Sequence, residues 1–376
     1  MIFLGKYVGL AMLVAVSLQA QGVEFIGLGD RLTAELPGFA SGNAFDVSAN
    51  GQVVVGFAGT DSTNHGFIWN QETRLATVVD TPLKAVSRDG KIAVGVTTEN
   101  SLAVWSEETE LQTYSFSDDL LLVSAEAVSD NSIVVGEVRD LSTEERTRRA
   151  FSWTANSGVT LLPPNAGRVP QHAFDITPDG SVIVGSSSGE QGERAFRLSK
   201  GAAAVNLGTL AKNGGASHYS LARAVSADGN YVVGDSSGQV LYWTAEENRI
   251  FGLGSLEIAD DTQAHDISDD GQNIVGTYDH ILLESSQAFV WTSELEFIDL
   301  GQFLTERGAN IEGWSLRGAN AVSADGQVIV GFGDGPNGRE PWMAIIPEPH
   351  VSQLVFTALL CLGLYRRYFI TNVIAS

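Results

Sequence analysis

Thiol chemistry is almost absent from this chain. Its one cysteine, Cys361, lies in an apolar stretch near the C-terminus. Residues 23–346 can therefore form no disulfide, no cysteine-based zinc site and no thiolate nucleophile. Basic residues are also scarce, 22 against 45 acidic ones, for a net charge of −23. Three of the basic residues (Lys6, Arg366, Arg367) and one acid (Glu348) fall in the terminal segments, leaving 19 basic and 44 acidic residues in 23–346. So acidic a surface repels phosphate backbones and anionic lipid, which excludes nucleic acid as a partner and favours cations or neutral glycans. Catalytic signatures are missing too: there is no Gly-x-Ser-x-Gly elbow, His-Glu-x-x-His pair or phosphate-cradling glycine loop. The histidines at 65, 172, 218, 265, 280 and 350 make no spaced ligand set.

What the chain does have is a repeat. The pattern Val-Ser-x-Asp-Gly-x-x-Val-Val-Gly recurs with its Ser/Thr at Ser48, Ser87, Ser129, Thr177, Ser226, Ser268 and Ser323. Its closing glycines are Gly56, Gly95, Gly136, Gly185, Gly234, Gly276 and Gly331. The intervals of 39, 42, 48, 49, 42 and 55 residues are those of propeller blades.

The fourth copy shows the grammar. Ala173–Thr177 alternates as a strand, Pro178-Asp179-Gly180 is turn chemistry, and Ser181–Gly185 returns as a β-branched strand. Ala195–Leu198 and Ala204–Gly208 supply a third and a fourth strand. Phe and Trp recur on the third strand, as in Gly66-Phe67-Ile68-Trp69 and Ala288-Phe289-Val290-Trp291, and are assigned to the packing between blades. The seventh copy lacks a fourth strand, while Val23–Gly29 matches Phe297–Gly301 closely. The expected fold is all-β: a seven-bladed propeller of four-stranded antiparallel blades, closed by an N-terminal strand that completes the last blade. Six or eight blades would follow if Ser129 or Ser87 belonged to a degenerate unit.

The two ends read as addresses. Lys6, the apolar run Tyr7–Leu18 and Ala20-Gln21-Gly22 make residues 1–22 a secretory signal peptide. Residues 347–376 hold Pro347-Glu348-Pro349, the apolar stretch Val351–Tyr365 and Arg366-Arg367, expected to be a short transmembrane helix with its arginines cytoplasmic. This arrangement resembles the PEP-CTERM sorting signal, which implies an exosortase-type sorting machinery as partner. Nine residues, Tyr368–Ser376, follow the arginines, a departure from the usual pattern. Across 23–346, phrases such as Asn206-Leu207-Gly208-Thr209-Leu210, Ala224–Gly229, His65–Trp69 and Ile311–Leu316 resemble the extracellular HAF repeat family. That resemblance implies secretion and a propeller-like fold and carries no catalytic residues. Together the readings imply a protein exported across the inner membrane and extracellular or at the cell surface after processing, otherwise membrane-tethered.

Candidate function lies where the repeat is broken. Two residues before the Ser/Thr, four copies use Ala (Ala85, Ala127, Ala224, Ala321) and three use Asp (Asp46, Asp175, Asp266). If this strand lines the channel, those three carboxylates bind a glycan or a divalent cation; no cofactor is required, though Ca²⁺ would suit such oxygen ligands. Alternatively each accepts hydrogen bonds from its own or a neighbouring turn. The turn acids Asp89, Asp179, Asp228, Asp270 and Asp325 serve their turns. The longest excursion, Gln302–Leu316, is expected to hold a short helix at Phe303–Arg307 packed down by Trp314. Two functions remain: a non-catalytic surface or matrix propeller binding extracellular polysaccharide or protein, favoured by the absence of motifs, or an exported glycan-active enzyme with its site at the channel.

Overall fold

Seven Ser/Thr hydroxyls each close a turn by the same pair of hydrogen bonds. Thr177 Oγ1 donates to Asp179 Oδ1 at 2.7 Å and accepts the Val182 amide at 3.0 Å. The pair is repeated from Ser48, Ser87, Ser129, Ser226, Ser268 and Ser323. Such local closure sets the register of the first two strands of each blade.

A computed structural model describes residues 22–347, apart from 191, 213–214, 217–218 and 283–284. It contains seven four-stranded antiparallel sheets. Blade 1 runs Ser41–Val47, Val53–Gly59, Asn64–Asn70, Leu75–Val79, and blades 2 to 6 open at Leu83–Val86, Leu120–Val128, Val169–Ile176, Leu221–Val225 and Ala259–Ile267. Blade 7 takes Ser315–Val322, Val328–Gly335 and Gly338–Ile345 from the end of the ring and Glu24–Gly27 from its start. A two-stranded hairpin, Ala211–Lys212 with Gly215–Ala216, stands outside the blades. The count of seven holds, and the irregular Ser129 turn belongs to a complete blade.

The closing strand pairs Glu24, Phe25, Ile26 and Gly27 with Ile345, Ala344, Met343 and Trp342. Phe25 meets the Trp314 ring edge-on at 5.1 Å, and a Cβ on Gly27 would enter that same ring. Helix α1, Gly29–Glu35, then buries Leu32 beside Leu28 in a core shared with blades 1 and 7. Each of those two side chains contributes roughly 1.5–3 kcal/mol. Blade 6 ends the same way: Glu296–Asp299 leads into helix α2, Leu300–Glu306, capped by the Asp299 side chain on the Gln302 amide at 2.9 Å. The helix therefore starts three residues earlier than the sequence pattern suggests, because Asp299 caps it.

Blades pack through the third-strand aromatics. Phe67, Phe151, Phe196, Phe289 and Trp342 are all buried, each directly across from a closing glycine. At every closing glycine a Cβ would also collide with a carbonyl oxygen of the first strand or, at Gly95, of Pro82 just before it, as with His172 at Gly185 or Asn43 at Gly56. Only glycine fits that column. Among the described residues no helix is long and apolar enough to cross a membrane. The expected transmembrane helix falls on residues 351–365, which lie outside the described residues.

Candidate functional site

Every first strand carries a β-bulge at one position, three residues before its Ser/Thr. In blade 1 Ala44 pairs with Gly56 and Asp46 with Val55, so Phe45 has no partner. The same skip occurs at Lys84, Glu126, Phe174, Arg223, His265 and Asn320. A bulge turns two successive side chains toward one side of the strand. The skipped residue and its successor consequently face the axis together.

Those seven residues, with Asp46, Ala127, Asp175, Ala224, Asp266 and Ala321 beside them, line a cavity of about 240 Å³. That is smaller than the roughly 300–1,000 Å³ of clefts that enclose drug-sized ligands. On the side of the Asp-Gly turns, Arg88 of blade 2 reaches across to Asp269 of blade 6, with 2.5 Å between charged atoms.

The three aspartates do line this cavity, and each also joins two blades. Asp46 accepts the Val47 amide at 2.7 Å and the Val86 amide of blade 2 at 2.8 Å. Asp175 does the same with Ile176 and with Val225 of blade 5, and Asp266 with Ile267 and with Val322 of blade 7. Burial outweighs these amides, which favour the charged form. It raises Asp46 to about 6 and Asp175 to about 7, and holds Asp266 well above its usual range. The three also repel one another through space, as expected of carboxyls sharing one axis.

Around them stand cations on aromatic faces. The Lys84 ammonium lies 4.6 Å from the Phe45 ring centroid and 4.0 Å from Glu126 Oε2. The Arg223 guanidinium lies 5.7 Å from the Phe174 centroid and donates from Nε to Asp235 and from Nη2 to Gln263. His265 Nδ1 sits 3.0 Å from the Ala319 carbonyl oxygen, which assigns the proton to Nδ1 and leaves Nε2 facing Thr277 Oγ1. Burial lowers His265 to about 4, so the ring is neutral at pH 7.

Reasoning from the sequence found Asp46, Asp175 and Asp266 and missed the more varied column beside them. The signal was present: Phe, Lys, Glu, Phe, Arg, His and Asn occupy one position, although its neighbours are mostly Ala before it and Ala or Asp, then Val or Ile, after it. Period-2 alternation assigns that position to the opposite face, and only the bulge reverses it. Of the sorting residues, Pro347 alone is described; Glu348, Pro349, Arg366 and Arg367 lie outside the described residues. Among the described residues no group of three or more His, Cys, Asp or Glu side chains is arranged to hold a metal ion.

No family model matches the chain. No curated protein matches it. The HAF-type and PEP-CTERM resemblances therefore gain no support, and what stands is the seven-bladed propeller. Among solved structures, an oligogalacturonate lyase from Vibrio parahaemolyticus is similar at a TM-score of 0.55 and 13% identity, over 82% of this chain and 91% of its own. The propeller domain of the trilobed protease from Pyrococcus furiosus follows at 0.53 and 12%, over 81% and 93%. A streptogramin B lyase is similar at 0.51 and 11%, over 86% and 97%. Identities this low show the fold alone. They still correct the expectation of a non-catalytic propeller, because that expectation rested on missing motifs, and proteins of this fold include lyases and a protease.

Proposed function

We propose that the protein is a glycan-cleaving enzyme whose site is the channel mouth. One observation carries this reading: among the four residues before each Ser/Thr, the one that varies freely in chemistry is the one the bulges turn into the cavity. A structural column would keep one residue type, as the closing-glycine column does. The likeness to an oligogalacturonate lyase supports a polysaccharide-related ligand.

The chemistry follows from the lining. Phe45 and Phe174 offer flat apolar faces to sugar rings. Asp175, raised to about 7, carries a proton for part of the time at neutral pH and serves as general acid. It gives its proton to the glycosidic oxygen as the bond to the anomeric carbon breaks. The Ile176 and Val225 amides then hold the carboxylate left behind. Glu126, from the neighbouring blade, takes a proton from the water that forms the new bond. Two sugars result and the protons balance. The ends of the chain, read as sequence alone, support export with the propeller outside the inner membrane, and domains at 1–22, 23–346 and 347–376.

The test is turnover by the purified protein on a panel of neutral and acidic oligosaccharides, read as new reducing ends. Cleavage abolished in Glu126→Gln and Asp175→Asn supports the reading. Cleavage unchanged in both, or no cleavage of any glycan, sinks it.

A further inference from the structure

Each bulge residue that is a ring (Phe45, Phe174, His265) is followed by an aspartate, and no other bulge residue is. Each of those aspartates reaches the next blade, whose own bulge residue is a hydrogen-bond donor: Lys84, Arg223 or Asn320. The result is one unit built three times, at the seams between blades 1 and 2, 4 and 5, and 6 and 7. In the first two, the donor is a cation lying over the ring. Those two seams are three blades apart in a ring of seven and so face each other across the axis.

Neither cation is used up by its protein partners. Lys84 is 4.0 Å from Glu126, an ion pair beyond hydrogen-bond reach. Arg223 spends Nε and Nη2 on Asp235 and Gln263, which leaves the hydrogens of Nη1. Two cations thus face a cavity whose carboxyls are Glu126 and three aspartates that burial inclines toward the neutral form.

We infer that the channel mouth holds two equivalent ring-and-cation clamps, and that its ligand is an acidic oligosaccharide presenting two carboxylates, a di-uronate unit, to Lys84 and Arg223. This rests on the glycan reading above and names the class of glycan. Each sugar would lay a C–H face on Phe45 or Phe174 and direct its carboxylate to the cation above that ring. The third seam, with neutral His265 and Asn320, takes a hydroxyl. This narrows the sequence-based preference for cations or neutral glycans, which was drawn from net charge.

Calorimetric titration of the full protein tests it, with digalacturonate, its dimethyl ester and neutral galactobiose as probes. Digalacturonate should bind, and the ester and galactobiose should each bind at least about tenfold more weakly, the loss expected for one charge-assisted contact. Lys84→Gln and Arg223→Gln should each weaken digalacturonate about tenfold and leave galactobiose unchanged. Equal binding of all three probes by the unaltered protein overturns the inference while the glycan reading stands, and this arm needs no variant to fold. The same holds if both variants keep full affinity for digalacturonate. Binding and cleavage of no glycan, neutral or acidic, overturns both.

Discussion

Asp175 Oδ2 accepts the amide hydrogen of Val225 at 2.8 Å, so one carboxyl belongs at once to the lining of the channel and to the seam between blades 4 and 5. Asp46 with Val86 and Asp266 with Val322 repeat the relation at two other seams. In each case a side chain that could act on a ligand also holds the ring together.

This coupling has a pH signature. An unfolded Asp titrates near 3.8, whereas folded Asp46 and Asp175 titrate near 6 and 7. The folded ring therefore keeps protons that the unfolded chain releases. Their stabilising contribution is full below the unfolded value and is lost as pH rises through the folded values, at about 1.4 kcal/mol per pH unit for each carboxyl still differing between the states. Denaturant melts across this range should show stability falling toward neutrality. Asp175→Asn should flatten the slope, and an unchanged slope would place the proton elsewhere.

A stabilising change sits in blade 3. Its turn places Ser132 at φ 64, where five of the other six copies have glycine at φ 70 to 77 and Gly51 has φ 69. Ser132→Gly should gain about 0.5–1 kcal/mol, measured by thermal or chemical unfolding, because it relieves left-handed strain at the cost of some chain entropy.

Closing glycines should tolerate nothing larger. A Cβ at Gly185 would run into the His172 carbonyl oxygen, whereas Gly201 has open space around it. Gly185→Ala should cost about 1–3 kcal/mol or more. At Gly201, where φ is +75, the change carries only the backbone penalty, about 1–2 kcal/mol, so the difference between the two reads the collision.

Deleting residues 23–29 should open the seam. The strand Gly338–Ile345 would then be an unpaired sheet edge, and Leu28 would be lost from the core of blades 1 and 7. A lower melting temperature and concentration-dependent light scattering are expected. Melting that matches the full chain would refute strand-exchange closure.

If Glu126 is the base, Glu126→Gln should lower kcat by about 10²–10⁴-fold with little change in ligand affinity. Single-turnover and binding assays separate that outcome from loss of the ion pair to Lys84, which would show in affinity instead.

The sequence by itself determined the ring. Ser/Thr with Asp or Asn closes each turn through bonds that span at most five residues, the closing-glycine column answers a collision within its own blade, and Val23–Gly29 carries the pattern missing from the seventh copy. Such features are local or self-similar, so they survive in a linear reading. The site was decided by the tertiary structure. A bulge shifts the strand by one residue, and period-2 reasoning then assigns Phe45, Lys84, Glu126, Phe174, Arg223, His265 and Asn320 to the wrong face. Likewise, that Asp175 meets Val225 and Arg223 meets Phe174 depends on which blade edges the closed ring brings together, and residues 50 apart in sequence give no sign of it.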